Sequence, residues 1–118
     1  MPAVLVVDDD IDLLEMVAMA LTMQDFQVEC LSKGQQLFET LSLSKPDLLL
    51  MDIYLGDADG RELCRTLKKS EQFRDIPTIL YSAGYITASS IRDSLADDFI
   101  VKPFDITILG DKIKSLAK

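Results

Sequence analysis

Histidine is absent from the 118 residues, cysteine occurs twice, and 12 basic residues face 20 acidic ones. Without histidine, this chain has no Ser-His couple for nucleophilic catalysis. The net charge of −8 comes with no basic stretch, which argues against nucleic-acid binding, because phosphate contacts need clustered Lys and Arg. No apolar run reaches the roughly 18 residues of a membrane span, so we expect a cytoplasmic protein without membrane contact.

The two cysteines lack the spacing of metal ligands. Cys30 lies in a predicted strand and Cys64 on the apolar face of a predicted helix. Thiols in such places are usually buried, so we expect two buried thiols and no disulfide.

Hydrophobic residues make up 48% of the chain, which is enough to fill a core, and the length suits one domain over residues 1–118. Strand-like and helix-like patterns alternate. The predicted strands are Ala3–Val7, Gln27–Leu31, Leu48–Met51, Thr78–Tyr81 and Phe99–Val101. The predicted helices are Ile11–Met23, Gly34–Leu43, Arg61–Lys69, Ala88–Leu95 and one that follows the N-cap Asp105. Of these, Ala88–Leu95 has a thin apolar face. Five βα units predict an α/β fold with a parallel sheet between two helix layers.

Polar side chains stand where the predicted buried strands end. In a parallel α/β sheet the carboxyl ends of the strands form the edge that binds ligands. We therefore expect carboxylates, a hydroxyl and an ammonium to converge there, from Asp8, Asp9, Asp52, Ser82 and Lys102.

The carboxylates of Asp8, Asp9 and Asp52 would lie close together if their strands are neighbours. Like charges at short range raise one another's pKa unless a cation neutralises them. Oxygen ligands from two strand ends suit Mg²⁺, which is hard and octahedral. The sequence therefore predicts a magnesium site.

The acids after the first strand also have simpler interpretations. Asp10 and Asp12 suit the positive end of the next helix, through capping and the helix dipole. The spacing of Asp8, Asp10 and Asp12 matches the start of a calcium loop. That interpretation fails, because Leu13 and Met19 stand where the loop needs Gly and a bidentate Glu.

Lys102 precedes a proline at the same edge of the predicted sheet. A fixed ammonium there can pair with a carboxylate and then with a phosphoryl oxygen. Ser82 could donate its hydroxyl to the same oxygen.

Together these motifs resemble the receiver domain of two-component response regulators, over essentially the whole chain. The matching segments are Val6-Val7-Asp8-Asp9, similar to the family's acidic pair; Asp52 with Asp59-Gly60 behind it, similar to the phosphoacceptor and its loop; Ser82-Ala83, the switch hydroxyl; Phe99, the switch aromatic; and Lys102-Pro103-Phe104. The resemblance implies a flavodoxin-like (βα)5 three-layer sandwich with strand order 2-1-3-4-5. It also implies a cis peptide between Lys102 and Pro103.

The resemblance implies a signalling function rather than a classical enzyme. A histidine kinase or histidine phosphotransfer protein would phosphorylate Asp52, assisted by the receiver itself. Mg²⁺ would be held by Asp9, Asp52 and the backbone carbonyl of Tyr54, with Asp8 orienting a water, while Lys102 binds a phosphoryl oxygen.

The family's switch would follow from the added charge. Ser82 would move inward and Phe99 would rotate into the vacated space. The face formed by the fourth helix, fifth strand and fifth helix would then change shape for a protein target or an effector domain, in a monomer or a phosphorylation-dependent dimer.

Two positions depart from the family pattern. Gly56 stands where proline is frequent, so we expect a more mobile loop after Asp52. Tyr54 places a bulky ring two residues beyond the predicted acceptor, where it could crowd the pocket.

Three other functions remain open from the residues. A haloacid-dehalogenase-type phosphatase also uses Mg²⁺ and an Asp-x-Asp strand end, as in Asp8-Asp9-Asp10, although Asp12 replaces its usual Thr or Val. An inactive receiver could act as an interaction module, but Asp52 and Lys102 are intact. Flavin binding is disfavoured because the first loop is acidic and lacks a phosphate cradle.

Overall fold

A computed structural model describes residues 2–84 and 86–117. Its main strands are β1 (Ala3–Val7), β2 (Gln27–Leu31), β3 (Leu48–Asp52), β4 (Thr78–Ser82) and β5 (Asp98–Val101). Its helices are α1 (Ile11–Met23), α2 (Leu37–Ser44), α3 (Gly60–Lys68), α4 (Ala88–Ser94) and α5 (Ile106–Leu116). A 3₁₀ turn, Gly34–Gln36, precedes α2, and two short strands, Tyr54–Leu55 and Ala58–Asp59, pair as an antiparallel hairpin after β3.

The five main strands form one parallel sheet in the order β2-β1-β3-β4-β5. This confirms the predicted flavodoxin-like α/β fold with strand order 2-1-3-4-5. Every residue of β3 and β4 is buried, as expected for strands covered by helices on both faces. The edge strand β2 is mostly exposed.

Successive side chains along a strand pack into two different core layers, because they point to opposite faces of the sheet. One layer joins Val4 and Val6 to residues of α1 and α5. The other joins Leu5 and Val7 to residues of α2 and α3. The sheet, with one core layer and its helices on each face, forms the middle of a three-layer sandwich. The ends of the strands remain free to carry functional side chains.

Side-chain caps fix where the helices begin. Asp10 accepts a hydrogen bond from Leu13 N at the start of α1, and Thr87 accepts one from Ser90 N at the start of α4. Asp105 caps α5, as predicted. Each cap satisfies a backbone donor that the helix itself leaves free.

The structure corrects two sequence-based expectations. The predicted helix Gly34–Leu43 begins with a 3₁₀ turn, and its α-helical part is Leu37–Ser44. Cys30 is exposed rather than buried, because β2 is paired with β1 alone and the helices cover this edge incompletely. Cys64 is buried and free, and burial raises the pKa of its thiol to about 12.

Among the helices described, none combines the length and the apolar character needed to cross a membrane.

Candidate functional site

Strand ends bring the predicted site residues to one edge of the sheet. Asp8 follows β1, Asp52 ends β3, Ser82 ends β4 and Lys102 follows β5. Because β1, β3 and β4 are consecutive neighbours in the sheet, their last side chains lie side by side. The largely buried strands leading to this edge fix the backbone positions from which the polar side chains project.

Three carboxylates form a tight cluster at this edge. Asp8, Asp9 and Asp52 each offer one oxygen, and these oxygens lie within 4.8 Å of one another. Asp8 is fully buried and Asp52 is 6% exposed, whereas Asp9 is exposed. Three acids so close favour a cation between them.

The Lys102 ammonium is shared between the two buried acids. Its Nζ lies 3.1 Å from Asp8 Oδ2 and 3.3 Å from Asp52 Oδ2. The side chain is only 15% exposed, and the peptide bond that follows, to Pro103, is cis, as the resemblance implied. One ammonium therefore faces two buried carboxylates and can transfer its contact from one to the other.

Asp52 is a buried carboxylate whose charge is only partly compensated by its neighbours. Burial raises its pKa above the ordinary value, and the neighbouring Lys102 counteracts part of that rise. The nearby charge of Asp8 adds to it. The oxygen Oδ1 accepts a hydrogen bond of 3.3 Å from the backbone N–H of Tyr54, which orients the carboxylate at the strand end.

Asp8 is held by donors on both of its oxygens. Its Oδ1 accepts from Asp10 N at 2.9 Å. Its Oδ2 accepts from the Tyr81 hydroxyl at 2.6 Å, besides the contact with Lys102. Among the residues described, Tyr81 is the member of this network that the sequence analysis missed.

The Tyr81 ring lies under the ammonium and against the loop that follows β5. Lys102 Nζ is 4.5 Å from the ring centroid, a cation–π distance. Phe104 meets the same ring edge-on, with centroids 5.7 Å apart. One signal in the sequence could have pointed to this site. A tyrosine within an otherwise apolar strand places its hydroxyl in the interior, where it usually forms a hydrogen bond.

In the part of the chain that the structure describes, neither predicted switch residue is hydrogen-bonded through its side chain to Asp52. Ser82 is fully buried, and its Oγ accepts a hydrogen bond of 3.1 Å from Gly84 N. Phe99 is half-buried and packs against the core layer on the α3 side. Their predicted movements remain predictions.

Tyr54 leans across the mouth of the site. The residue is 52% exposed, and its ring lies against Gly84, where an added Cβ would be 3.3 Å from Tyr54 Cε2. The guanidinium of Arg61 stands 5.7 Å from the ring centroid. The ring therefore bridges the loop after β3 and the loop after β4.

The loop after Asp52 is tied on two sides. Gly56 N donates to Asp9 Oδ2 at 3.0 Å, and the Asp57 carboxylate accepts from Gly34 N and Gln35 N, each at 3.0 Å. Those bonds also lower the pKa of Asp57. Gly56 thus lies in the turn of a hairpin that hydrogen bonds tie to the two neighbouring loops. The greater mobility expected from Gly56 stays a prediction.

A model of the response regulator receiver domain family matches residues 4–114 of the chain. The chain belongs to this family. Among similar curated proteins, the phosphate regulon transcriptional regulatory protein PhoB of Pseudomonas aeruginosa is 35% identical over 98% of the chain, which covers 51% of that protein. The DNA-binding dual master transcriptional regulator RpaA of Synechocystis sp. is 32% identical over 100% of the chain, or 50% of its own length. This receiver domain thus spans about half the length of these relatives.

Solved structures agree with the family. The signal receiver domain of a signal transduction histidine kinase from Syntrophus aciditrophicus is 32% identical, with a TM-score of 0.88 over 99% of this chain and 90% of that one. The chemotaxis response regulator CheY4 of Vibrio cholerae is 21% identical, with a TM-score of 0.88 over 98% of each chain. The second likeness shows the fold alone.

The donor atoms of the receiver domain's acidic cluster fit a magnesium ion. All three side-chain ligands are carboxylate oxygens, the ligand type that Mg²⁺ prefers, and the exposed Asp9 leaves one side open to water, which Mg²⁺ usually retains. The raised pKa of Asp52 shows that the buried charge is incompletely compensated by Lys102 alone. An added cation would complete that compensation.

Proposed function

We propose that this receiver domain, over residues 1–118, is a phosphorylation-dependent switch of a two-component phosphorelay with Asp52 as its phosphoacceptor. The observation that carries the proposal is the placement of Asp52. Its carboxylate ends a central strand, is 6% exposed, lies 3.3 Å from Lys102 Nζ, and shares a 4.8 Å cluster with Asp8 and Asp9.

In the proposed reaction, a carboxylate oxygen of Asp52 attacks the phosphorus of a phosphohistidine on a histidine kinase or phosphotransfer protein. The O–P bond forms as the P–N bond breaks, and the electron pair returns to the imidazole nitrogen. Asp9, Asp52 and the Tyr54 carbonyl would hold Mg²⁺, with Asp8 orienting a water. The ion, when bound, supplies charge neutralisation for the transferring oxygens.

Lys102 is suited to follow the phosphoryl group. Its Nζ sits between Asp8 and Asp52, 3.1 and 3.3 Å from their oxygens. A dianionic phosphoryl group on Asp52 would attract the ammonium more strongly than a carboxylate does. The contact would pull on the β5 end, where Lys102 N also donates to Ser82 O at 2.9 Å.

The switch would pass from this edge to the α4–β5–α5 face. Ser82 would exchange its Gly84 contact for a phosphoryl oxygen, and half-buried Phe99 would repack. A protein target or an effector domain would bind the changed face, in a monomer or a phosphorylation-dependent dimer. This output requires only a shift between two arrangements of the fold.

Labelling with a small donor tests the proposal. Acetyl phosphate or phosphoramidate with Mg²⁺ should add one phosphoryl group to the wild type, seen by intact mass, and none to Asp52→Asn. Asp12→Asn is the matched control, because it makes the same change at an exposed position in the first turn of α1. Equal labelling of wild type and Asp52→Asn would exclude Asp52 as the acceptor.

The phosphatase alternative makes a different demand on Asp10. Such an enzyme would need the third residue of Asp8-Asp9-Asp10 as a proton donor at the site. Here the Asp10 side chain is exposed and accepts from Leu13 N at 3.2 Å to cap α1. Sustained turnover of p-nitrophenyl phosphate, with many products per protein molecule, would favour the phosphatase.

A further inference from the structure

A buried tyrosine hydroxyl belongs to the site, yet the proposed reaction gives it no role. Tyr81 lies in β4 directly before Ser82 and is fully buried. Because neighbouring strand residues point to opposite faces, its side chain joins the core layer under α1 and α5. Its hydroxyl reaches Asp8 Oδ2 at 2.6 Å, and burial together with this bond raises the pKa of the phenol far above its ordinary range. It therefore acts as a neutral donor.

The phenol and the ammonium share one carboxylate oxygen. Asp8 Oδ2 accepts from the Tyr81 hydroxyl and from Lys102 Nζ, which is 3.1 Å away. Asp8 is 0% exposed, so the supply of water donors to this oxygen is restricted. A buried carboxylate must be satisfied by hydrogen bonds or by cations. Each hydrogen-bond donor to Asp8 therefore weakens the attraction of this carboxylate for other donors and for cations.

We propose that Tyr81 is a positioning residue of the phosphorylation site, whose hydroxyl keeps Asp8 satisfied, and so weakens Mg²⁺ binding and releases Lys102 to the phosphoryl group. This inference rests on the proposed function. When Lys102 turns towards phosphorylated Asp52, Asp8 loses its ammonium but retains the phenol. Without the phenol, Asp8 would hold the ammonium back.

The hydroxyl can be removed without removing the ring. The ring of Tyr81 makes the edge-on contact with Phe104 and lies 4.5 Å from Lys102 Nζ. Phenylalanine keeps both contacts and loses only the donor. Tyr81→Phe thus separates positioning from packing.

The matched control removes another buried hydroxyl from the same strand. Thr78 opens β4, is fully buried, and its hydroxyl donates to Ile76 O at 3.2 Å. It lies at the opposite end of β4 from the acidic cluster. Thr78→Val keeps the shape of the side chain and tests whether any loss of a β4 hydroxyl disturbs the site.

Magnesium titration is the first measurement. By calorimetry, we expect Tyr81→Phe to bind Mg²⁺ about three- to tenfold more tightly than wild type, the order of the net contribution of one ordinary hydrogen bond lost from the metal-free state. Thr78→Val should bind as wild type does. Equal or weaker binding by Tyr81→Phe would overturn the proposal, because a merely loosened site binds the ion less well.

The rate of phosphorylation is the second measurement. At saturating Mg²⁺ with phosphoramidate, we expect Tyr81→Phe to be labelled at least about threefold more slowly, since Asp8 then competes for Lys102. Tighter metal binding with slower labelling is a split that general loosening does not produce. Labelling at the wild-type rate or faster would overturn the role in releasing Lys102.

A double-mutant cycle shows whether Tyr81 acts through Asp8. In an Asp8→Asn background, Tyr81→Phe should leave the Mg²⁺ affinity unchanged. A persisting effect there would mean that the phenol acts by another route. If wild type binds Mg²⁺ but is not labelled at all, the proposed phosphoacceptor function fails, while the affinity ratios still decide the role of Tyr81.

Discussion

The two sides of the carboxyl edge are built by different means. On the central side, β3 and β4 are buried at every residue, and Asp8 and Asp52 are fixed by several donors. On the outer side, Ile100 is the single buried residue of β5, and Val101 is 54% exposed. The neighbouring α4 has seven residues, of which only Ser94 is buried.

Two arginines of α3 hold α4 in place. Arg61 Nη1 donates to Ser90 Oγ at 3.0 Å, and Arg65 Nε donates to Asp93 O at 2.8 Å. Ile91 adds a partly buried apolar contact. Polar tethers release more easily than a packed core, so α4 can rearrange while the acidic cluster stays fixed. The proposed switch would use this difference between a firmly packed site and a weakly tethered α4.

The largest effect should come from crowding the rigid side. An added Cβ at Gly60 would meet the main-chain oxygen of Asp52, and Gly60 N donates to Ile53 O at 2.7 Å. Gly60→Ala should therefore lower the free energy of unfolding by about 2 kcal/mol, in the range for overpacking, and reduce phosphorylation, because the acceptor strand must shift.

Chemical denaturation and labelling measure both effects. Gly56→Ala is the control, because that residue is exposed and its added Cβ would meet only Asp9 Oδ2, at 3.3 Å. If the two variants have similar stability, the close approach at Gly60 does not constrain Asp52.

The pliable side should respond next. Arg61 makes a two-pronged pair with Asp59, with bonds of 3.0 and 2.7 Å, while its third nitrogen reaches Ser90. Lysine retains the charge but not the fork. Arg61→Lys should speed hydrogen exchange in α4 about tenfold, the effect of one lost charged hydrogen bond.

In Arg61→Lys, the amides of β3 should exchange at the wild-type rate. They should do so as well in the control Arg92→Lys, because Arg92 is exposed on α4. Equal acceleration in β3 and α4 would show that the two sides form one cooperative unit.

Replacing Asp52 should change stability by a smaller amount and in the opposite direction, raising the free energy of unfolding. Three carboxylates cluster together, while the Lys102 ammonium contacts only Asp8 and Asp52, so Asp52→Asn relieves repulsion while Lys102 keeps Asp8. The metal-free variant should be more stable than wild type by about 1 kcal/mol at neutral pH.

The pH dependence gives the sign of this effect. The folded pKa of Asp52 is raised above the ordinary 3.8, so its ionisation destabilises the fold above that raised pKa. As the pH falls through it, the wild type takes up a proton and the advantage of Asn shrinks. Thermal melts at several pH values, with Asp12→Asn for comparison, measure this. An advantage that grows on acidification would contradict burial as the cause.

The smallest effect is expected at the mouth of the site. The Tyr54 ring lies against Gly84, from where it would hinder a water that approaches the proposed acyl phosphate. Tyr54→Ala should shorten the life of phosphorylated Asp52 about two- to threefold, with Mg²⁺ binding retained through the backbone carbonyl. Decay of the label after removal of the donor decides it, and equal or slower decay rejects shielding.

Much of the fold follows from local patterns in the sequence. Continuous apolar runs such as Leu48–Met51 mark strands covered on both faces, and the polar residue that ends each run marks the ligand edge. The clustering of Asp8, Asp9, Asp52 and Lys102 follows from topology, once the sheet is known to be parallel.

Other features depend on contacts between distant segments. The hairpin Tyr54–Leu55 and Ala58–Asp59 is too short for a periodic pattern. The exposure of Cys30 depends on how far the helices cover β2. From the sequence, Tyr81 fits an apolar strand as an ordinary core residue, and only the position of Asp8 after β1, two strands away, reveals what its hydroxyl binds.

The ties among the loops have a consequence for binding entropy. Asp57 fixes the backbone of Gly34 and Gln35, and Asp9 fixes that of Gly56. These hydrogen bonds restrict the conformations of the three segments before any cation arrives. Asp57 would thus contribute to the proposed metal site without touching the ion. Asp57→Ala should make the entropy of Mg²⁺ binding, measured by calorimetry, less favourable. In the variant the ion must order loops that in the wild type are already ordered before the ion binds.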